Sequence, residues 1–307
     1  MREVEITHAL TLDERQRRLL DRHSVLNVLN VVLYQVEQAG ALLDDADLVA
    51  PVIKWVLGQV SEFRDGLSSS SSDLTYRRDM ATIRERLHEG LLALWPRVRH
   101  AESVYFERYL DNIESVFDVV DTRVEELDER AGRLPACRTF TLAHLHANLR
   151  AAFNAIAKNS LGRYRIAFWP EPRAPGDYLM EFEISSLDGK SIFMPAVIED
   201  VMRDLAANAR KYTDPGGWIR VTLVEEVDAL CLEVEDTGHG IPEDELEKVI
   251  DFGYRGTNFL GRAQRGGGFG LTKAYNVVRE LGGRMWVRSG AEEGTRVRIR
   301  LPRPSGA

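Results

Sequence analysis

The stretch that most constrains the fold is an apolar segment that ends in a glycine-bearing turn. Leu230–Val234 is mostly apolar and suits a strand, and Asp236 stands where that strand should end. Gly238 and Gly240 follow, so the backbone can come close to the carboxylate without side chains in the way. A fixed acceptor beside open backbone suits a flat polar ligand. On its own, the same pattern is also typical of an ordinary tight turn.

Two flanking segments favour ligand binding over a plain turn. Upstream, Asp204–Tyr212 reads as a helix in which Asp204, Asn208 and Lys211 fall about one turn apart. Downstream, Gly266–Leu271 is a glycine loop that leads into a helix. Such loops present backbone amides to phosphate groups. The order of the segments is a helix with acidic and Asn residues, an Asp-Gly turn and a second glycine loop.

In this order, the segments resemble the motifs of the GHKL ATPases and, within them, the catalytic domain of sensor histidine kinases. The matching boxes are Asp204–Tyr212 (N box), Asp236–Gly240 (first glycine box), Val249–Gly256 (F box), Gly266–Leu271 (second glycine box) and Gly294–Pro302 (closing strand). The resemblance implies an α/β sandwich ATPase domain, the Bergerat or GHKL fold, over residues 136–307. It also implies that ATP and Mg²⁺ are the cofactors.

The family's roles carry over to particular residues. By resemblance, Asn208 would be the magnesium ligand, and an amide oxygen is a hard donor of the kind that magnesium prefers. Asp236 would accept a hydrogen bond from the adenine amino group. Asp204 would be a magnesium-side ligand, a general base or a plain solvated carboxylate, and the sequence leaves these open. The other expected nucleotide contacts are Lys211, Tyr212, Gly238, Gly240, Arg255, Gly266, Gly268, Gly270, Leu271 and Thr295. Residues 253–269 would form the ATP lid.

The first part of the chain is predicted to be an all-α helical hairpin. Leucines recur every seven residues, which is typical of a helix that packs along one seam. That seam consists of Leu12, Leu19, Leu26 and Leu33. It predicts a helix over 12–43, and a second long apolar face predicts another over 97–130. We expect these arms to form a four-helix bundle in a homodimer, within a domain spanning 1–135. Residues 44–95 would be a helical insertion, although two long kinked helices are an alternative.

A phosphate acceptor is predicted on the first of these helices. The stretch Arg22–Asn27 resembles the H box of histidine kinases, with His23 as the phosphorylated residue. Asn27 lies one turn further on the same face, where it can bond the imidazole or place a water molecule. Ser24 departs from the family, which usually has an acid there, and a serine cannot serve as that base.

The resemblance therefore implies a histidine kinase that binds Mg-ATP, autophosphorylates on His23 and passes the phosphoryl group to an aspartate of a response-regulator receiver domain. It also implies that the protein can act as that regulator's phosphatase. Two alternatives stay open. Phe252–Tyr254 leans towards a protein-serine kinase of the dehydrogenase-kinase type, whereas Ser24 leans towards a degenerate kinase that acts as a scaffold or phosphatase.

Composition limits the partners and the location. The net charge of −8 over 307 residues argues against nucleic acid as the main partner. No apolar stretch is long enough for a membrane span, and the start of the sequence does not read as a signal peptide. Two cysteines, Cys137 and Cys231, favour a reduced cytoplasmic protein. We therefore expect the input signal to come from an upstream sensor protein or from residues 44–95.

Overall fold

The computed structural model describes residues 1–21, 29, 31–33, 35–39, 50–52, 54, 55, 57, 58, 74–98, 100–130, 136–160, 162–257 and 268–304. The chain forms two compact units. The helical unit comprises residues 13–133, and the sheet unit comprises residues 1–12 and 134–307. In chain order, the helical unit is thus inserted after the first twelve residues of the sheet unit.

In its described part, the helical unit contains three continuous helices and an apolar core. The helices are α1 (Glu14–Asp21), α2 (Leu74–Leu92) and α3 (Ser103–Arg130). The described residues between 29 and 39 are helical as well. Core members come from this stretch, from α2 and from α3, and include Leu29, Leu33, Leu87, Leu91, Phe106 and Phe117. Arg84 of α2 also bonds Glu114 and Asp121 of α3, at 2.8 and 2.9 Å. The hairpin, the four-helix bundle and the homodimer stay predictions.

Helix α1 begins later than the leucine seam suggested. Asp13 and Gln16 exchange hydrogen bonds, the Gln16 N–H to Asp13 Oδ1 at 2.7 Å and the Asp13 N–H to Gln16 Oε1 at 3.0 Å. This reciprocal pair satisfies backbone donors that the first turn of a helix leaves unpaired. Leu12 therefore precedes the helix and belongs to the sheet unit.

A seven-stranded mixed sheet forms the centre of the sheet unit. Its strands are β1 (Arg2–Glu5), β3 (Ile166–Phe168), β4 (Tyr178–Ser185), β6 (Trp218–Glu225), β7 (Ala229–Asp236), β8 (Arg284–Ser289) and β9 (Thr295–Pro302). Their order across the sheet is β1-β8-β9-β7-β6-β4-β3. Strands β3, β4 and β6 run parallel, and the other neighbours are antiparallel. A separate pair joins β2 (Cys137–Thr141) to β5 (Ser191–Pro195).

Three helices pack on this sheet: α4 (Leu142–Asn159), α5 (Val197–Tyr212) and α6 (Gly270–Glu280). Strands β6 and β7 bury alternate residues, as expected where one face of a sheet meets helices and the other meets water. The core includes Leu205 of α5, Ala274 of α6 and Val234 of β7. These contacts bring the end of β7, α5 and the start of α6 into one region. None of the helices in the described part of the chain is long and apolar enough to cross a membrane.

The first strand differs from the sequence analysis, which placed residues 1–12 in the helical domain. Strand β1 pairs with β8, and Ile6, only 2% exposed, joins the core of the sheet unit. The Tyr275 hydroxyl of α6 donates to the His8 carbonyl at 2.8 Å. The sequence misses this because Arg2–Glu5 has little apolar character and its partner strand lies near the other end of the chain.

Two further differences concern local structure. The sequence predicts a helix over about 243–250, but Glu243–Glu245 and Lys248–Ile250 form two separate 3₁₀ turns. The buried Glu245 carboxylate accepts the Thr257 N–H at 3.2 Å, so this segment is held by a tertiary contact instead of a regular helix. Strand β2 was not predicted either, since its partner β5 is brought to it only by the fold.

Candidate functional site

Asp236 is the centre of the candidate site. It ends β7 and is only 7% exposed. Its Oδ1 accepts the backbone N–H groups of Gly238 at 2.8 Å and Thr295 at 3.2 Å. Burial raises the pKa of this carboxyl to about 6, although the two N–H bonds oppose the shift. Within the described part of the chain, no hydrogen bond is found at Oδ2, so this oxygen can accept one from a ligand.

The backbone closes around Asp236 at positions that only glycine fits. A Cβ atom on Gly238 would lie 2.3 Å from the Tyr212 carbonyl oxygen. One on Gly294 would lie 2.1 Å from the Asp236 carbonyl oxygen. Gly240 has a φ of 68° and would place its Cβ 1.9 Å from the carbonyl oxygen of Gly290. The end of α5, the turn after β7 and the β8–β9 turn therefore pack backbone against backbone.

His239 joins the same three segments, a role that the sequence did not suggest. Its N–H donates to the Tyr212 carbonyl at 3.1 Å, and its carbonyl accepts the Glu292 N–H at 2.7 Å. The ring nitrogens lie 3.1 Å from Asp214 Oδ2 and 3.3 Å from Glu292 Oε2. His239 thus links α5 and the β8–β9 turn to the turn that carries Asp236. A histidine within a glycine turn was the available signal, but its partners are distant in sequence.

Asp204 and Asn208 lie on the face of α5 that meets α6. A Cβ on Gly270, the first residue of α6, would lie 2.1 Å from Asn208 Nδ2, so helix backbone and amide are in contact. Asp204 Oδ2 lies 2.6 Å from Lys273 Nζ. Of the roles left open for Asp204, the plain solvated carboxylate is therefore wrong, because this carboxylate is ion-paired and largely buried.

Positive charge gathers at the end of α5. Burial, then the neighbouring Arg255 and Arg210, lower the pKa of Lys211 to about 8. The Lys211 ammonium lies 5.1 Å from the centre of the Tyr212 ring, and burial raises the pKa of that phenol. An anion here would relieve the repulsion between cations, and the nearby N-terminus of α6 would attract the same anion.

The predicted lid is described only at its two ends. Gly266, Arg262 and Arg265 lie outside the described residues. At one end, Phe252 packs on Phe269 with ring centres 4.6 Å apart. This aromatic contact joins the two ends of the predicted lid.

The other predicted residues are placed as follows. His23 and Asn27 lie outside the described residues. Thr295 presents its hydroxyl 3.1 Å from Ser289 Oγ, and Leu271 is half-buried against the core. Gly268 has a φ of 73° and packs against the Tyr254 carbonyl. The structure therefore connects the predicted boxes through direct contacts, while the roles of their residues stay predictions.

A magnesium site would have to be built around Asn208. Among the described residues, no group of three or more His, Cys, Asp or Glu is arranged to hold a metal ion. Asn208 is half-buried beside the start of α6 and offers one hard oxygen. This donor set fits a metal that takes most of its ligands from a bound phosphate group and water, as magnesium usually does.

Comparison with known proteins agrees with this geometry. Residues 195–305 match the family described as "Histidine kinase-, DNA gyrase B-, and HSP90-like ATPase". The sensor protein SrrB of Staphylococcus aureus is 35% identical over 107 residues, which are 35% of this chain and 18% of SrrB. Residues 195–305 thus form a GHKL ATPase domain.

These matches support the GHKL family and the α/β sandwich that the sequence indicated, and they make this region similar to the corresponding part of a sensor histidine kinase. The chain spans only 18% of the length of the curated relatives that it matches. Similar solved structures include the mycobacterial sensor histidine kinase MprB, with a TM-score of 0.38, 20% identity and coverage of 54% of this chain and 97% of that one. Full-length ShkA in complex with AMPPNP gives a TM-score of 0.43, 15% identity and coverage of 75% and 47%.

Proposed function

We propose that this protein is a histidine kinase that binds Mg-ATP in its sheet unit and phosphorylates its own His23. The phosphoryl group would then pass to an aspartate of a response-regulator receiver. The observation that carries the proposal is Asp236, a buried carboxylate with one oxygen left for a ligand, enclosed by glycines in an ATPase domain.

Adenine recognition is assigned to the Asp236 pocket. The Oδ2 atom accepts the adenine amino group, and Gly238 and Gly240 let the surrounding backbone pack closely enough to hold the carboxylate in place. The base also lies beside Thr295. Because the carboxylate is fixed by two backbone N–H groups, it needs no reorientation when the nucleotide binds. A buried acceptor with one partner missing rejects ligands that lack a matching donor.

The triphosphate is assigned to the charged end of α5 and the start of α6. Lys211 and Arg255 supply positive charge, and the N-terminus of α6, which begins at Gly270, adds the attraction of its helix dipole for an anion. Asn208 would hold magnesium, which neutralises the charge that develops during phosphoryl transfer.

The phosphoryl acceptor is assigned to the helical unit. A neutral imidazole nitrogen is a competent nucleophile for a γ-phosphoryl group, so His23 attacks and Asn27 orients it or a water. We further propose a cytoplasmic homodimer that responds to an upstream sensor protein and can also dephosphorylate its regulator. The thiols of Cys137 and Cys231 are both free, which suits a reducing compartment.

Incubation with magnesium and γ-labelled ATP should label the protein on histidine. The label should be stable to alkali and labile to acid, and His23→Gln should abolish it. The matched control is His88→Gln on α2, which removes another histidine of the helical unit. His88 is a strict control because its Nδ1 lies 2.9 Å from Glu114 Oε1. It therefore has an acidic partner, whereas the residue after His23 is Ser24 and not the usual acid.

Other results of this experiment would support one of the alternative functions. Acid-stable label would point to a serine kinase, whose phosphoester survives acid. ATP binding without label would favour a scaffold or phosphatase. Label that survives His23→Gln but not His88→Gln would identify His88, on α2, as the phosphoryl acceptor.

The affinity for Mg-ATP should be greatest between about pH 6 and pH 8. As pH falls through 6, Asp236 becomes protonated and loses its free acceptor. As pH rises through 8, Lys211 loses its charge. At one pH unit beyond either pKa, about nine-tenths of the group is in the wrong form, so we expect an affinity loss of about tenfold. Calorimetry at pH 5, 7 and 9 measures the loss of affinity on both the acid and the alkaline side.

One variant and one measurement on the wild type test whether Lys211 causes the alkaline decline. Lys211→Arg keeps its charge at pH 9 and should remove the alkaline decline. The wild type should also take up protons on binding ATP near pH 8.5, seen as a dependence of the binding heat on buffer ionisation enthalpy. An alkaline decline that persists unchanged in Lys211→Arg would exclude Lys211 as its cause.

A further inference from the structure

The ion pair between Asp204 and Lys273 has no part in the function proposed so far. Lys273 Nζ lies 2.6 Å from Asp204 Oδ2, and the two side chains are 5% and 17% exposed. Buried charges at this distance are stable only as a pair, because each alone would lose its hydration without compensation. The paired arrangement is therefore the resting state of this part of the site.

The pair lies directly beside the proposed phosphate site. Asp204 and Asn208 are four residues apart and share one face of α5. Gly270 touches Asn208, and Lys273, one turn later on α6, bonds Asp204. The two contacts run in opposite directions along the two helices. Lys273 thus links the start of α6 to α5 and places a cation on a carboxylate that lies one helical turn from the proposed magnesium ligand, Asn208.

We propose that Lys273 is a positioning residue that withholds Asp204 from water, so that the site transfers the γ-phosphoryl group to a protein side chain instead of hydrolysing ATP. The inference rests on the proposed function, since it requires ATP to bind. It adds the reason why a protein side chain, and not water, receives the γ-phosphoryl group.

The reaction that Lys273 prevents is the hydrolysis of ATP by water. A water oxygen bonds to the terminal phosphorus, the bond to the bridging oxygen breaks, and ADP leaves. The proton that the water loses passes to the Asp204 carboxylate. The charge-assisted bond that Lys273 donates to Oδ2 opposes this transfer, because a cation beside the carboxylate favours its ionised form. A histidine acceptor brings its own lone pair and does not need this base.

Removing the cation should therefore activate hydrolysis. In the full-length protein, Lys273→Met should raise kcat for phosphate release from Mg-ATP by about tenfold or more, since a positioned general base typically contributes about 10²–10⁴-fold. The KM for ATP should stay within about twofold, because Lys273 is not among the proposed nucleotide contacts. Lys273→Arg should keep the low rate. Lys248→Met, at an exposed lysine of the same unit, is the matched control.

A second substitution shows whether Asp204 is the base. Lys273→Met combined with Asp204→Asn should return hydrolysis to the low rate. If Lys273→Met does not fold, Lys273→Gln removes the charge while it keeps a donor for Asp204, and it should raise kcat in the same direction. The fold of each variant is followed by thermal unfolding.

Three outcomes would overturn the inference. One is an unchanged kcat in a folded Lys273→Met or Lys273→Gln variant that binds ATP by calorimetry. Another is acceleration that persists in the double variant. The third is a wild type that already hydrolyses ATP as fast as Lys273→Met. A wild type that binds no ATP would instead refute the proposed function, and calorimetry separates this case from the others.

Discussion

Asp236→Asn should lower the affinity for ATP by more than about tenfold, or about 1.4 kcal/mol, without unfolding the sheet unit. Asparagine has the shape of aspartate, and its Oδ1 can still accept the N–H groups of Gly238 and Thr295. Its Nδ2 then replaces the free Oδ2, so a donor faces the adenine amino donor. The loss thus combines a missing hydrogen bond with two opposed donors.

The same substitution should stabilise the protein in the absence of nucleotide. Because the folded state raises the pKa of Asp236 from 3.8 to about 6, it binds the proton more tightly than the unfolded state does. The corresponding stabilisation is complete below pH 4 and is lost as pH rises through 6. At pH 7 the buried charge costs about 3 kcal/mol, which an uncharged side chain avoids in part. Thermal unfolding at pH 5 and pH 7 measures this effect.

Asp236→Ala is the informative control for both effects. Alanine leaves the N–H groups of Gly238 and Thr295 without their acceptor, so it should lose stability as well as ATP affinity. Asparagine and alanine would then differ in stability and agree in weak binding. An Asp236→Asn variant that folds and binds ATP as tightly as the wild type would exclude Asp236 as the adenine acceptor.

The parts of the site that sequence could predict are those that local chemistry determines. The Asp236 turn was evident because a strand, a carboxylate and two glycines are adjacent in the chain. The helix over Asp204–Tyr212 was evident because its apolar spacing and its charged residues fall on different faces. Neither inference needed to know what packs against the segment.

Pairings between distant residues could not be predicted in the same way. Lys273 lies 69 residues from Asp204, and nothing local indicates that a lysine in a helix start will be buried. The Arg284–Glu5 pair, 279 residues apart, is another example, and it accompanies the unpredicted strand β1. Charged residues normally read as solvent-exposed, so the sequence gives no sign of which ones the fold will bring together.

Gly240→Ala should destabilise the sheet unit by roughly 3 kcal/mol or more. Its φ of 68° already disfavours any residue with a Cβ, and this costs about 1 kcal/mol. The larger cost is steric, since the Cβ would lie 1.9 Å from the Gly290 carbonyl oxygen and 3.1 Å from that of Gly294. For a unit of this size, the melting temperature should fall by roughly 10 °C.

The clash cannot be relieved by a small shift, because the β8–β9 turn is held from inside. Ser289 Oγ is fully buried, donates to the Gly294 carbonyl at 2.6 Å and accepts the Ile241 N–H at 2.8 Å. Moving Gly290 away would strain both bonds and would also displace Thr295, which bonds Asp236. Gly240→Ala should therefore weaken ATP binding as well as folding.

Gly282→Ala separates the steric cost from the conformational one. Gly282 has a φ of 70°, almost the same as Gly240, but nothing lies within 4 Å of the Cβ it would gain. This control should cost only about 1 kcal/mol and leave ATP affinity unchanged. Thermal unfolding and calorimetry on both variants make the comparison. Equal losses of stability in the two variants would mean that the β8–β9 turn can move aside at little cost. Asp236 would then not be a preorganised acceptor.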